Sequence, residues 1–289
     1  MNFHKYPLSI ILGLVLLSLQ AFSFQALAQT QAQTETWPRE SRVAGGIAIL
    51  EIPQRGEAPP HVFFNNQRVY TVKKDGRWLA WVGIPLSQKT GQTQAFWRTR
   101  DGDVPLTFNV LDKAYPQQSL TVAPKHVNLS PEDLARVQRE APELSGAMNG
   151  FRPVILPLPA LVKPLEGRHS SPFGFRRVFN GEFRNPHSGL DIAAPQGSPI
   201  KAALPGRIVA QNYYFFNGKT VVIDHGQGLT SLYCHLSKFA DLKVGDEVTA
   251  GQFIGEVGTT GRSTGPHLHW TISLNAARVD PELFLPTAQ

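Results

Sequence analysis

Five side chains in the second half of this chain are of the types that metal and acid–base chemistry needs: His187, Asp191, His235, His267 and His269. His267 and His269 stand two residues apart in Gly265-Pro-His-Leu-His-Trp270. Around them Leu268, Trp270, Ile272 and Leu274 alternate with His267, His269, Thr271 and Ser273, a period of two that predicts a strand with one polar face. Residues i and i+2 of a strand point the same way, so both imidazoles project together. His187 and Asp191 stand four apart in Asn185-Pro-His-Ser-Gly-Leu-Asp191. That offset fits one face of a helix or of a strand, and Pro186, Gly189, Pro195 and Gly197 exclude the helix. Both are therefore expected on one strand face. Leu232-Tyr-Cys-His-Leu236 adds His235 at the end of an apolar strand.

Four imidazoles and one carboxylate exceed what a single metal ion takes. Catalytic zinc uses three protein ligands, two His and a carboxylate being one of its usual sets, and keeps a position for water. Its water then falls from a pKa near 15.7 to about 7. Two histidines are left for proton transfer or for stabilising an oxyanion. Which histidine of the His-Leu-His pair holds metal is open from spacing alone. The set contains no sulfur, which excludes a Cys-type structural zinc site, and no His is followed by Glu, which excludes the helical H-E-x-x-H layout.

The elements that must position these groups are short strands. Arg207–Gln211, Thr220–Asp224, Leu229–Cys234, Phe253–Val257 and His267–Leu274 are separated by Gly and Pro, the pattern of a β-sandwich or barrel. Upstream, Gln67–Lys74 and Arg77–Ile84 flank Asp75-Gly76, which suits a type I′ hairpin turn, and Thr93–Arg100 and Pro105–Leu111 flank Asp101-Gly102. With Gly45–Ile52 they predict a small Ig-like β-domain over residues 39–118. Residues 119–160 read as a linker with one short helix, Ser130 at N-cap and Pro131 at N1. Its stripe Leu134, Val137, Ala141 is expected to end before Pro142.

Lys5, the apolar run Leu8 to Leu19 and Ala26-Leu27-Ala28 predict a secretory signal peptide over 1–28, followed by a flexible leader over 29–38. The apolar run is short of the ~20 residues of a membrane span. Cleavage removes only Lys5 from a chain of formal net charge +6, and a basic exported protein suits an anionic envelope surface. Cys234 is the only cysteine, so no intrachain disulfide forms. Alternation places Cys234 and His235 on opposite faces, against a Cys-His nucleophile pair and for a buried small side chain.

The segments HSGLD, YCHL and GPHLHW, in this order, resemble the M23 (lysostaphin/LytM-type) family of zinc metallopeptidases, as do Ser171-Pro-Phe-Gly-Phe-Arg176 and the stretch from Val244 to Gly255. The resemblance covers residues 161–285. It implies an all-β chain: an antiparallel β-sandwich catalytic domain, duplicated-hybrid-motif-like and grooved, behind the Ig-like domain and helical linker of a two-domain exported member. It implies one zinc ion per chain on His187, Asp191 and His269, with His235 and His267 as the catalytic histidines. The implied reaction is hydrolysis of peptide cross-links in peptidoglycan by zinc-activated water. The partners expected are peptidoglycan peptides, with no nucleic acid and no stable membrane insertion after signal cleavage. The chain is expected as a monomer in the periplasm or cell envelope. Some relatives have lost ligands and act as non-catalytic amidase activators, which the intact set here disfavours; a non-catalytic wall-binding scaffold is the remaining alternative, favoured by zinc content near zero or an undiminished effect in His269→Ala. The N-terminal domain is expected to bind wall polymer or to shield the groove.

Two other patterns compete. Gly261-Arg-Ser-Thr-Gly265 matches the G-x-S-x-G elbow of serine hydrolases, but a strand follows where a helix is required. Gly206 to Gly255 resembles a biotinyl/lipoyl carrier hairpin with Lys219 as nearest acceptor, a likeness of β architecture that does not give function. His225 is expected to make a structural hydrogen bond, Tyr233 to pack in the core, and His61, His126 and His169 to be exposed. Arg176 and Arg177 are candidates for holding substrate carboxylates.

Overall fold

The computed structural model describes residues 1, 38–120, 129–155, 161–179, 181–183 and 185–286. The signal peptide, nearly all of the leader and His126 lie outside the described residues. Seven strands come first: β1 (Ile47–Ile52), β2 (His61–Phe64), β3 (Gln67–Arg68), β4 (Tyr70–Lys74), β5 (Arg77–Gly83), β6 (Gly91–Thr99) and β7 (Gly102–Val110). They form two antiparallel sheets, β1-β5-β4 and β3-β2-β6-β7. The Asp75-Gly76 turn has φ of +51° and +76°, the positive pair a type I′ turn requires. Val62, Phe64, Trp78, Val82 and Phe108 fill the space between the sheets. The expected strand over Gln67–Lys74 is two strands, because Asn65 and Asn66 adopt positive φ and turn β2 into β3.

β8 (Gln117–Leu120) leads towards α1 (Pro131–Asn149). Ser130 caps α1 by accepting from the Asp133 N–H at 3.1 Å. The helix does not stop before Pro142 but runs through it. An internal proline costs roughly 3 kcal/mol, and tertiary contacts offset that cost. Leu144, Ala147 and Met148, all beyond the proline, pack on Ala210, Val222, Leu232 and Cys234. The Glu140 and Glu143 carboxylates accept from the Phe215 N–H (2.6 Å) and the Tyr214 hydroxyl (2.8 Å). Leu134, at the head of the expected stripe, stays exposed.

The remaining strands are β9 (Arg168–Ser171), β10 (Arg176–Phe179), β11 (Glu182–Phe183), β12 (Leu190–Ala193), β13 (Pro199–Lys201), β14 (Gly206–Tyr214), β15 (Gly218–Asp224), β16 (Thr230–Phe239), β17 (Glu247–Val248), β18 (Phe253–Val257), β19 (His267–Leu274) and β20 (Ala277–Val279). Most join one antiparallel sheet in the order β17-β14-β15-β16-β19-β12-β9, with β18 bridging β13 and β16 and β20 beside β19. β8, β10 and β11 make a small separate sheet in which β8 and β10 run parallel. One face of the main sheet is the core, with Leu190, Ile192, Tyr233, Leu268 and Trp270 all fully buried. α1 covers part of the opposite face. Among the described residues no helix is long and apolar enough to cross a membrane.

The N-terminal sheet shares this core. Ile47, Tyr70 and Trp81 belong to the same buried cluster as Leu274 and Val279, and the Tyr70 and Trp81 rings stack at 4.8 Å. Two buried side-chain amides complete the joint. Asn275 accepts from the Gly83 N–H (2.7 Å) and donates to its carbonyl (3.0 Å). Gln227 accepts from the Thr71 N–H (3.3 Å) and donates to its carbonyl (3.1 Å). Each amide pairs with backbone as a strand residue would, so the Gly83 and Thr71 main-chain groups are satisfied where the sheets meet.

A candidate metal centre and its four histidines

Strand register assembles the site. In the β12–β19 pair Asp191 stands opposite His269, and Ala193 opposite His267. Opposed residues share a face, so Asp191, His267 and His269 emerge together, while Leu190, Ile192, Leu268 and Trp270 enter the core. His187 is not on that strand face as expected. It precedes β12, in a loop held by hydrogen bonds from the His187 N–H to the Phe175 carbonyl (3.0 Å) and from the Gly174 N–H to the His187 carbonyl (2.8 Å). The loop brings the imidazole to the same place. Gly189 permits the approach: a Cβ there would lie 2.7 Å from the His269 ring.

His187, Asp191 and His269 each offer one ligand atom, and these atoms lie within 4.8 Å of one another. His187 Nε2 and His269 Nδ1 approach Asp191 Oδ1 to 3.0 Å and 2.8 Å, and each other to 3.0 Å. All three side chains are about seven-eighths buried, with relative exposures of 13 to 15%. Burial works to raise the Asp191 pKa, but hydrogen bonds from His187 and His269 and their charge prevail and hold the carboxyl well below the usual range. Burial lowers His269, with Asp191 opposing.

Outer partners fix the ring orientations. A carbonyl only accepts, so the Pro172 carbonyl 2.8 Å from His187 Nδ1 requires a proton there and turns Nε2 towards Asp191. The Gly265 carbonyl does the same at His267 Nδ1 (2.8 Å), and the Thr260 carbonyl at His235 Nδ1 (2.8 Å). Thr271 Oγ1 engages His269 Nε2 at 3.1 Å, leaving Nδ1 towards Asp191. An imidazole lone pair aimed at a carboxylate oxygen is repulsive unless a proton or a cation lies between them. Two imidazoles and a carboxylate, backed in this way, suit a divalent zinc ion.

His235 reaches the same face by a different device. Strand alternation sends Tyr233 to the core and Cys234 to the site face, so His235 is due in the core. Instead β16 carries an extra residue: Lys219 opposes Leu236 and Val221 opposes Tyr233. Both Tyr233 and Leu236 are core residues, and the two between them lie on the other face. His235 absorbs the bulge at φ +62°. Its ring centroid lies 4.8 Å from that of His267 and 6.1 Å from that of His269. Burial pushes its pKa down to about 4. The expected separation of Cys234 from His235 is thus corrected, since both lie on one face. Cys234 is nonetheless fully buried, accepts from Asn217 Nδ2 at 3.2 Å, and burial pushes its thiol up to about 12, the state of an inert side chain.

The residues that orient the histidines were missed from sequence: Pro172, Thr260, Gly265 and Thr271. All but Thr271 act through backbone carbonyls, which no side-chain pattern announces. Ser263 of the Gly261–Gly265 run is no nucleophile elbow. Its hydroxyl meets the Gly265 carbonyl (2.8 Å) and lies 3.2 Å from His267 Nδ1, in a turn that leads into β19. Lys219 donates to the Ser237 carbonyl at 2.7 Å, occupied within the fold rather than presented as an acceptor. His225 makes its structural bonds, to the Pro205 carbonyl and Ser231, and Tyr233 is buried. His61 is exposed, as is His169, which pairs with Glu282. Arg176 is exposed on β10.

Comparison with known proteins agrees with this architecture. A family profile described as "Peptidase family M23" matches residues 185–281, and one described as "Peptidase family M23 N-terminal domain" matches residues 40–113. A crystal structure of a Pseudomonas aeruginosa protein described as peptidase M23 superposes with a TM-score of 0.73 at 43% identity, covering 86% of this chain and 96% of that one. The DD-carboxypeptidase/endopeptidase Mpg of Neisseria meningitidis serogroup B is 42% identical over 123 residues, which are 42% of this chain and 28% of the relative. The peptidoglycan DD-endopeptidase ShyC of Vibrio cholerae is 41% identical over 130 residues. That match spans 41% of this chain and 30% of the relative, so the likeness to both covers less than a third of their length.

Proposed function

This chain belongs to peptidase family M23, and from that premise we propose that it is an exported zinc endopeptidase that hydrolyses peptide cross-links of peptidoglycan. The observation that carries the reading is the convergence of His187 Nε2, Asp191 Oδ1 and His269 Nδ1, with His235 and His267 against them. In this reading His187, Asp191 and His269 hold zinc, which when bound supplies Lewis-acid activation of water and of the scissile carbonyl. The names of the two curated relatives support wall peptide as substrate. The predicted signal peptide supports export.

The protein's own groups do the rest. His235 and His267 each have Nδ1 committed to a carbonyl, so Nε2 is the ring nitrogen left to accept a proton from attacking water and return it to the leaving amine. Once protonated, either ring donates to the tetrahedral oxyanion. Burial keeps His235 neutral at working pH. Asp191 stays ionised over the same range, as a ligand must. Core packing beneath β12 and β19 and the αL bulge of β16 hold these groups in place before substrate arrives.

Mass analysis of muropeptides from purified wall tests the reading. Cross-linked muropeptides are expected to become monomers with the zinc-loaded chain, and to persist with chelator or with His269→Ala, which loses the metal. His235→Ala and His267→Ala should keep zinc and lose on the order of 10²-fold or more in rate. Zinc content near zero with cleavage unchanged in His269→Ala overturns the proposal, and loss of zinc from His267→Ala overturns the ligand assignment.

A further inference from the structure

We propose that Thr260 is a positioning residue for His235, acting through two turns locked against each other; the proposal rests on the peptidase reading above. A non-glycine residue at positive φ persists only where its surroundings over-determine it, and His235 sits at φ +62°. Two turns supply that constraint. From the first, between β14 and β15, the Asn217 carbonyl accepts the His235 N–H at 2.9 Å. From the second, after β18, the Thr260 carbonyl accepts the His235 Nδ1–H at 2.8 Å. The Thr260 hydroxyl then ties both neighbours: it donates to the Leu236 carbonyl (2.8 Å) and accepts from the Lys219 N–H (2.9 Å).

The turns touch backbone to backbone. Gly218 (φ +64°) and Gly261 (φ +72°) face each other, and a Cβ on Gly218 would lie 2.3 Å from the Thr260 carbonyl carbon, one on Gly261 2.3 Å from the Gly218 nitrogen. Main-chain N–H, ring Nδ1 and the next carbonyl of His235 are thereby all engaged, and Nε2 alone remains for chemistry. Without the Thr260 hydroxyl the second turn keeps its tie to the first, from the Arg262 N–H to the Phe216 carbonyl (2.9 Å), but loses both hydroxyl bonds that hold Thr260 to β15 and β16. Its carbonyl then releases Nδ1 and the ring loses its aim.

The test uses Thr260→Val, which keeps the shape and loses the hydroxyl, and Thr260→Ser, which keeps the hydroxyl. Each is made alone and with His235→Ala in the zinc-loaded full chain. Thr260→Val is expected to lower kcat about tenfold or more, with KM within about twofold, because misplacement of a catalytic group acts on the transition state. Zinc content should not change, Thr260→Ser should restore the rate, and Thr260→Val should have no further effect on His235→Ala. A second readout needs no turnover: in 15N-histidine spectra the His235 Nδ1 proton should exchange slowly in wild type and Thr260→Ser and rapidly in Thr260→Val. Wild-type kcat with an unchanged Nδ1 signal in Thr260→Val overturns the proposal, as does an equal loss in the His235→Ala background. If the wild-type chain cleaves no wall, the peptidase reading falls, and the Nδ1 exchange still decides whether Thr260 holds the ring.

Discussion

Acid should destabilise this fold through a histidine that takes no part in the metal site. His225 is fully buried, and burial pushes its pKa from 6.5 down to about 4, against the opposing pull of the Pro205 carbonyl and Asp224. Its Nδ1 donates to the Pro205 carbonyl at 2.8 Å. Its Nε2 lies 2.7 Å from Ser231 Oγ, whose hydroxyl donates to the Tyr233 hydroxyl (3.0 Å), which also accepts from the Ala203 N–H (2.9 Å). A second proton on the ring would place a charge on a side chain only 1% exposed. Because the folded pKa lies below the unfolded one, the unfolded chain takes up the proton first. The stability is complete above pH ~6.5 and drains away as pH falls towards ~4, by about 3 kcal/mol for a gap of that size. Urea unfolding of the metal-free chain, with chelator present, should show it. Between about pH 8 and pH 4.5 the wild type should lose about 2.5 kcal/mol more than His225→Gln. His235, lowered in the same way, contributes equally to both proteins and cancels. Parallel decline of the two would refute the argument.

Other perturbations read other parts of the structure. Trp81→Ala should cost about 3–5 kcal/mol by opening a cavity in the shared core, and calorimetry should still show one transition for both halves. Asn275→Ala, which orphans the Gly83 N–H and carbonyl, should cost about 1–3 kcal/mol for each group in denaturant titrations. Iodoacetamide should alkylate Cys234 only after unfolding and leave wall cleavage intact, by intact mass and activity together, since a thiol pushed up to about 12 holds almost no thiolate at neutral pH.

The parts of the site that follow strand periodicity were legible in the sequence. The alternation around His267 and His269 gave their common face, whereas the even spacing of His187 and Asp191, read as one strand face, misplaced His187, which the loop before β12 carries. His235 was recognisable as a candidate, but its place on the site face was not legible, because alternation puts it in the core. The residue that breaks the alternation is His235 itself, with no glycine to mark the bulge, and the contacts that stabilise it come from turns some twenty residues away on either side. Asn65-Asn66 did carry a local signal for the β2–β3 turn, being residues that tolerate positive φ. Pro142 carried a misleading one: the rule that proline ends helices holds for local energetics, and here Glu140, Glu143 and Met148 add contacts that local reasoning does not include. The burial of Tyr70 and Trp81 against the C-terminal sheet was equally invisible, since their strand looks the same whatever it packs on.

Asn275 and Gln227 knit the boundary between the two halves with side-chain-to-backbone bonds, where, among the described residues, no strand from β1 to β7 pairs with a strand of the C-terminal half. Tyr115 makes a second tie, with its hydroxyl on the Ala44 carbonyl (2.7 Å) and its ring against Gly174, whose N–H bonds the His187 carbonyl. A change at Tyr115 therefore bears on the loop that carries His187, from a segment outside the strands that supply the other ligands.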